Sequence, residues 1–124
     1  MRILIVNYEF PPLGGGAANA SAQIARQLAR ANNEVTVLTS YYRGLAREEE
    51  KDGYQIFRIW TLRRYVERCS PFEMAVFGLS AIFNLKRVVN LKRPEIIIAF
   101  FGIPCGPAAW WAKKRFAIPY LISL

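Results

Sequence analysis

Arg2-Ile3-Leu4-Ile5-Val6 is an apolar run of strand length, and it stops where Asn7, Glu9 and the pair Pro11-Pro12 interrupt it. Gly14-Gly15-Gly16 follow, and a small-residue segment that reads as a helix begins at Ala17. Strand, glycine turn and helix in succession are how α/β proteins present backbone N–H groups to an anion at a helix N-terminus. Everything downstream reads as a sheet built around that first strand.

From Ala17 to Ala31, small or apolar residues recur at helical spacing (Ala17, Ala20, Ile24, Leu28, Ala31), with Arg26 and Arg30 late in the segment, where cations suit a helix C-terminus. Asn32-Asn33 end the helix, since asparagine tolerates the left-handed capping conformation. Glu34-Val35-Thr36-Val37-Leu38-Thr39 is a β-branched second strand. Strand, helix, strand implies parallel pairing with a right-handed crossover. The polar stretch from Tyr41 to Gly53, centred on Glu48-Glu49-Glu50-Lys51-Asp52, reads as a solvated surface loop. Tyr54 to Trp60 is a third strand, and Gln55 and Arg58 mark it as an edge or partly exposed one. Thr61 to Pro71 is irregular and basic.

A long helix is expected from Phe72 to Leu91, closed by Pro94, and Glu95 to Phe101 then reads as a central strand, apolar on both faces. A second glycine-proline loop, Gly102 to Pro107, follows that strand much as the first loop follows the first strand. Ala108 to Phe116 is a short helix ending in Lys113-Lys114-Arg115, and Ile118 to Leu124 supplies a fifth strand. The pattern predicts an α/β fold: a doubly wound, Rossmann-like parallel sheet of about five strands, order 3-2-1-4-5, with helices on both faces. Ligands bind such sheets beyond the carboxyl ends of the strands where the winding reverses, here between strands 1 and 4. Both glycine-rich loops, 11–16 and 102–107, fall there.

At 124 residues the chain is one domain, and with 53% hydrophobic residues it has material for a sizeable core. Seventeen basic residues against nine acidic ones, a net charge of +8, favour an anionic partner. Histidine is absent, which removes Ser-His-Asp and Cys-His nucleophile activation and most zinc sites from this chain. Cys69 and Cys105 lack metal-type spacing, and such sparse thiols point to a reducing, cytoplasmic setting. The opening apolar run is too short for a signal peptide, and no segment reads as the roughly 20 apolar residues of a transmembrane helix.

The Gly14-Gly15-Gly16 loop suits a phosphate cradle and equally a plain turn. It is not a P-loop, which needs Gly-Lys-Ser/Thr where Gly16-Ala17-Ala18 stand. A nicotinamide-dinucleotide site fits no better: Asn19 occupies its third glycine position, and Thr39-Ser40-Tyr41 stand where an acid is needed.

These residues resemble a family. The strand from Arg2, Phe10-Pro11-Pro12, the triple glycine and the small-residue helix are similar to the amino-terminal opening of GT-B glycosyltransferases, particularly the retaining family-4 group. Asn33 to Thr39 looks like that group's GHEVTVLT strand, with asparagines in place of glycine and histidine. Pro94 to Gly102 is similar to its PDVIHAHFG stretch, with apolar residues where histidine often stands, and Ile118 to Leu124 resembles the strand leading into its HG or RG segment. The resemblance implies that residues 1–124 are the N-terminal, acceptor-side Rossmann-like domain. The C-terminal domain, with the donor site and paired glutamates, lies outside these residues. It implies a nucleotide-sugar donor and a glycan or lipid-linked acceptor as substrates, with no catalytic residue, metal or cofactor in this half, which alone should not transfer sugar. Carried over by position, Gly14, Gly15 and Gly16 would contact donor phosphate or acceptor, Tyr8, Glu9 and Asn19 would flank them, and Phe101 and Gly102 would sit at the crevice rim. For Phe101, packing is the simpler role.

From Arg58 to Arg93, eight basic residues stand against Glu67 and Glu73, a local net of +6, beside the apolar stretch Met74 to Phe83. An apolar helix beside a cationic patch suits an anionic membrane surface, implying a protein peripheral to the inner face of the membrane, and equally suits ordinary packing on the sheet. The rival to sugar transfer is a stand-alone flavodoxin-like domain binding a phosphorylated ligand in the same crevice. Nucleic acid is a poor partner, because Trp110 and Trp111 are helix neighbours that diverge instead of forming a stacking platform. The last strand would be an uncovered apolar edge, through which the chain is expected to dimerise.

Overall fold

The computed structural model describes residues 1–11, 16–42, 44–61, 71–100 and 105–123. Over these the chain forms β1 (Arg2–Val6), α1 (Gly16–Arg30), β2 (Glu34–Ser40), β3 (Glu48–Lys51), β4 (Tyr54–Ile59), α2 (Pro71–Lys92), β5 (Ile96–Phe100), α3 (Cys105–Phe116) and β6 (Tyr120–Ser123). One sheet runs in the order β3-β4-β2-β1-β5-β6. The strands from β4 to β6 are mutually parallel and stand in the order expected from sequence.

Alternation of side chains across the sheet sorts the core into two layers. Ile3, Ile5, Val35, Val37 and Ile56 face α1, whose alanines let it lie close: Ala25 is fully buried, with Ala22 and Ala29 beside it. Leu4, Val6, Leu38, Phe57, Ile97 and Ala99 face the other way and meet α2 and α3 through Phe77, Ala81, Leu85, Ala108 and Ala112. β1 is buried on both faces, as the uninterrupted Ile3-Leu4-Ile5-Val6 run requires.

Each helix stops in a left-handed residue. Asn32 (φ 67°) ends α1 with two backbone bonds, from Asn32 N–H to the Ala29 carbonyl (3.1 Å) and from Asn33 N–H to the Leu28 carbonyl (3.2 Å). The Asn33 side chain bonds that same carbonyl at 2.9 Å. Arg93 (φ 47°) and Ala117 (φ 58°) end α2 and α3 with single bonds, to Val89 and Lys113.

Three expectations are corrected. The sheet has six strands among the described residues, because part of the supposed loop 41–53 is β3, which pairs antiparallel with β4 through a turn at Asp52 (φ 51°) and Gly53 (φ 87°). Both central turn residues have positive φ, the geometry that an Asp-Gly pair favours in a two-residue hairpin. As a consequence β4 is an interior strand, and Arg58 is buried, not solvated. Its guanidinium reaches Glu49 of β3 at 2.8 Å and the Ala46 carbonyl at 2.9 Å, which supplies the partners a buried charge needs. Finally, α2 has 22 residues, and its most apolar 18-residue stretch has a mean hydropathy of 1.3, enough by length and composition to cross a membrane. One side of it is nevertheless packed into the core through Phe77, Ala81, Leu85 and Val88.

Candidate functional site

The strand order reverses at β1, which has β2 on one side and β5 on the other. The chain leaves β1 at Asn7, and α1, α2 and α3 all begin at this end of the sheet. Three helix N-termini therefore aim their partial positive charge at one side of the molecule.

The segment from Asn7 to Glu9 is fixed by three neighbouring elements. Asn7 N–H donates to the Leu38 carbonyl of β2 at 3.1 Å, adding one rung to the ladder. The Asn7 side chain is fully buried: its amide donates to Ser21 Oγ of α1 at 3.1 Å, and its carbonyl accepts the Glu9 N–H at 3.1 Å. Ser21 Oγ in turn donates to the Ala18 carbonyl at 2.8 Å. Ser40 Oγ, at the end of β2, donates to the Tyr8 carbonyl at 2.7 Å. On the other side, Cys105 opens α3, fully buried, with a hydrogen bond from the Tyr8 backbone. Burial pushes the Cys105 thiol up to about 12, and the Tyr8 bond offsets only part of that, so this sulfur packs as a neutral group and is no nucleophile.

Of the residues expected at the site, Gly16 is the first of α1 and is exposed, and a Cβ added there would meet none of the described residues within 4 Å. Asn19 is exposed one turn later, and Glu9 is half-buried beside the Asn7 turn. Tyr8 turns its ring into the core, 6.5 Å from that of Phe77, and so offers the crevice backbone more than side chain. Gly14, Gly15, Phe101 and Gly102 lie outside the described residues. The second loop is shorter than expected, because Cys105, Gly106 and Pro107 already form the first turn of α3, where a proline costs no helical hydrogen bond.

Asn7, Ser21 and Ser40 were not legible as site residues. The one local signal was an asparagine two residues before Glu9 at a strand end, a spacing at which asparagine readily closes a turn. Glu73 is a further acid at this end of the sheet, buried in the first turn of α2, where a negative charge suits the helix N-terminus.

Recesses elsewhere are of a different kind. One of about 310 Å³, between Arg2, Glu34, Gln55, Lys92 and Pro94, lies at the opposite, amino ends of the strands. Among the described residues, no group of three acidic or cysteine side chains is placed to hold a metal ion.

Residues 15–124 match the family model described as a glycosyl transferase 4-like domain. Among solved structures, the fold is similar to that of sucrose-phosphate synthase from Thermosynechococcus elongatus. The TM-score is 0.79 at 14% identity, covering 98% of this chain and 32% of the synthase chain. A shorter piece of the same synthase gives 0.74 at 12% identity, over 98% of this chain and 62% of that one. The C-terminal domain of a hydrogenase from Pyrococcus furiosus gives 0.66 at 10% identity, over 99% and 90%. At these identities the likeness is one of fold, and the chain spans about a third of the synthase's length. No curated protein matches it.

Proposed function

The chain belongs to the glycosyl transferase 4-like domain family, and from that premise we propose that it is the N-terminal, acceptor-side half of a retaining GT-B glycosyltransferase. The observation that carries the proposal is the family match itself, which runs from the glycine loop to β6. The crevice at β1 and β5 supports it, since three helix N-termini and a rigidly held Asn7–Glu9 segment make a wall suited to an anionic, hydroxyl-rich ligand.

In this reading the donor is a nucleotide sugar and the acceptor a glycan or lipid-linked glycan. A second Rossmann-like domain closes over the crevice and contributes most of the donor site and its acids. When the sugar leaves its phosphate, charge develops on the departing oxygens. Fixed N–H groups stabilise that charge because they need no reorientation as it forms. Gly14 to Gly16 would bring such groups close, and Glu9 and Asn19 would meet hydroxyls or phosphate nearby. The chain by itself would hold one wall of the site and turn nothing over. β6, with Leu121 and Ile122 exposed at its edge, would be covered by further sheet or by a second copy.

Replacing Gly16 tests the reading at little structural risk, because no described residue lies within 4 Å of the position its Cβ would take. Gly16→Asp puts a carboxylate at the start of α1, which favours the helix but repels an anion approaching it. With UDP-glucose and GDP-mannose as probes in calorimetry, we expect weak binding by the chain that falls roughly tenfold in this variant, with no loss of thermal stability. Binding unaffected by the carboxylate would contradict the proposal.

A second reading is a stand-alone domain holding a phosphorylated ligand in the same crevice. The same fold covers 90% of the C-terminal domain of a hydrogenase, so the fold by itself does not require a GT-B partner domain. The reading frame beyond Leu124 separates the two: a second Rossmann-like domain with spaced glutamates belongs to the first reading only.

A further inference from the structure

The outward side of α2 does not look like the surface of an ordinary amphipathic helix. Phe77, Ala81, Leu85 and Val88 pack inward, yet the opposite side also carries large apolar groups. Phe72 is 65% exposed, Leu79 59% and Phe83 82%. They fall at spacings of seven and four, so they lie along one stripe. One turn further on, the stripe becomes cationic at Lys86 and Arg87, both exposed. Next to it stands Trp60, 59% exposed just past the end of β4, which shares a recess of about 400 Å³ with Arg47, Asn84 and Arg87. Glu48 is the one acid among the described residues that line that recess.

Scattered exposed apolar residues are normal, but a contiguous stripe of three with a tryptophan beside it marks an interaction surface. Charge decides the kind of partner. A second copy or a protein partner would match the apolar stripe with a stripe of its own. The cationic end, on a chain of net charge +8, is matched by a surface carrying both acyl chains and phosphates. An indole beside the stripe suits the level of lipid headgroups.

We propose that the outer face of α2 docks on an anionic bilayer. Phe72, Leu79 and Phe83 enter the headgroup–acyl boundary, Trp60 lies at headgroup depth, and Lys86, Arg87 and Arg47 meet lipid phosphates. The helix lies in the plane of the interface and does not span it, because its inner side is committed to the sheet. This inference does not depend on the sugar-transfer reading, since it rests on the exposure and charge of the outer face of α2.

The test is co-sedimentation of the chain with phosphatidylcholine vesicles and with vesicles containing about a third phosphatidylglycerol. The chain should bind the anionic vesicles, weakly or not at all the neutral ones, and less as salt is raised. Leu79→Ser/Phe83→Ser and, separately, Lys86→Glu/Arg87→Glu should each weaken binding roughly tenfold or more. All four side chains are exposed, so the melting temperature should hold, and Phe83→Ser alone should show the same effect more weakly. Equal recovery with the two vesicle types would overturn the proposal. So would binding that survives loss of the apolar pair, which would leave only diffuse charge attraction. A dimer in light scattering that Leu79→Ser/Phe83→Ser converts to a monomer, without vesicle binding by the parent chain, would assign the face to a second copy.

Discussion

Asn32 and Ala117 hold nearly the same left-handed backbone, φ 67° and 58°, at the ends of different helices. Asparagine adopts this conformation readily, and here Asn33 adds a side-chain bond to the open Leu28 carbonyl. Alanine has no such compensation: its methyl group crowds the following carbonyl, and the residue is exposed, so no packing offsets the strain. Ala117→Gly should therefore raise the unfolding free energy by about 0.5–1 kcal/mol, the strain relief less the entropy that glycine adds to the unfolded chain. Urea denaturation measures it, and a variant less stable than the parent would mean that Ala117 is not strained. The contrast also explains what could be read in advance. Asn32-Asn33 carries a helix stop in its own chemistry, whereas Ala117 is left-handed only because Ile118 and Pro119 must turn back to bring β6 beside β5. The polar cluster of Asn7, Ser21 and Ser40 is not legible in the sequence for a similar reason. Its members lie 14 or more positions apart in sequence, and each serves as an ordinary polar residue until the fold brings them together.

At the level of elements, β3 shows two signals in conflict. Glu48-Glu49-Glu50-Lys51 looks like a solvated charge run, and all four residues are in fact exposed. Asp52-Gly53 is nonetheless a strong hairpin turn, and it prevails because β4 offers an open edge with Arg58 in need of a counter-charge. The hairpin also replaces the usual crossover helix. The chain leaves β2, descends as β3 on the outside, and returns as β4 in the gap between them. If the Arg58–Glu49 pair at 2.8 Å anchors β3, then Glu49→Gln should lower stability by about 1–2 kcal/mol, discounted because Glu49 is partly exposed. It should also speed amide exchange across β3 and β4 while sparing β1 and β5. Uniform exchange, or stability within about 0.3 kcal/mol of the parent, would show that backbone pairing alone holds the strand. The α2 helix was legible to within a residue at each end because Pro94 and the apolar run bound it. Which of its apolar residues face outward was not legible, since Phe77 and Phe83 are alike in sequence and only the sheet distinguishes them.

For the whole molecule, the order β4-β2-β1-β5-β6 followed from a few rules: alternating strands and helices, right-handed crossovers, and one apolar strand buried on both faces. The same rules located the crevice without locating its side chains. Glycine loops raise the expectation of a ligand, but the groups that hold Asn7 to Glu9 come from β2, α1 and α3, each answering to a different part of the sequence. On the proposed function, a sugar-phosphate ligand meets the chain at the carboxyl ends of β1 and β5. Amide chemical-shift mapping with UDP-glucose and GDP-mannose tests it most directly. Shifts should concentrate on Asn7 to Phe10, Gly16 to Ala20 and Cys105 to Ala108, and leave the opposite end unmoved. Shifts gathered instead around Arg2, Glu34, Lys92 and Pro94, or spread evenly over the basic surface, would contradict it.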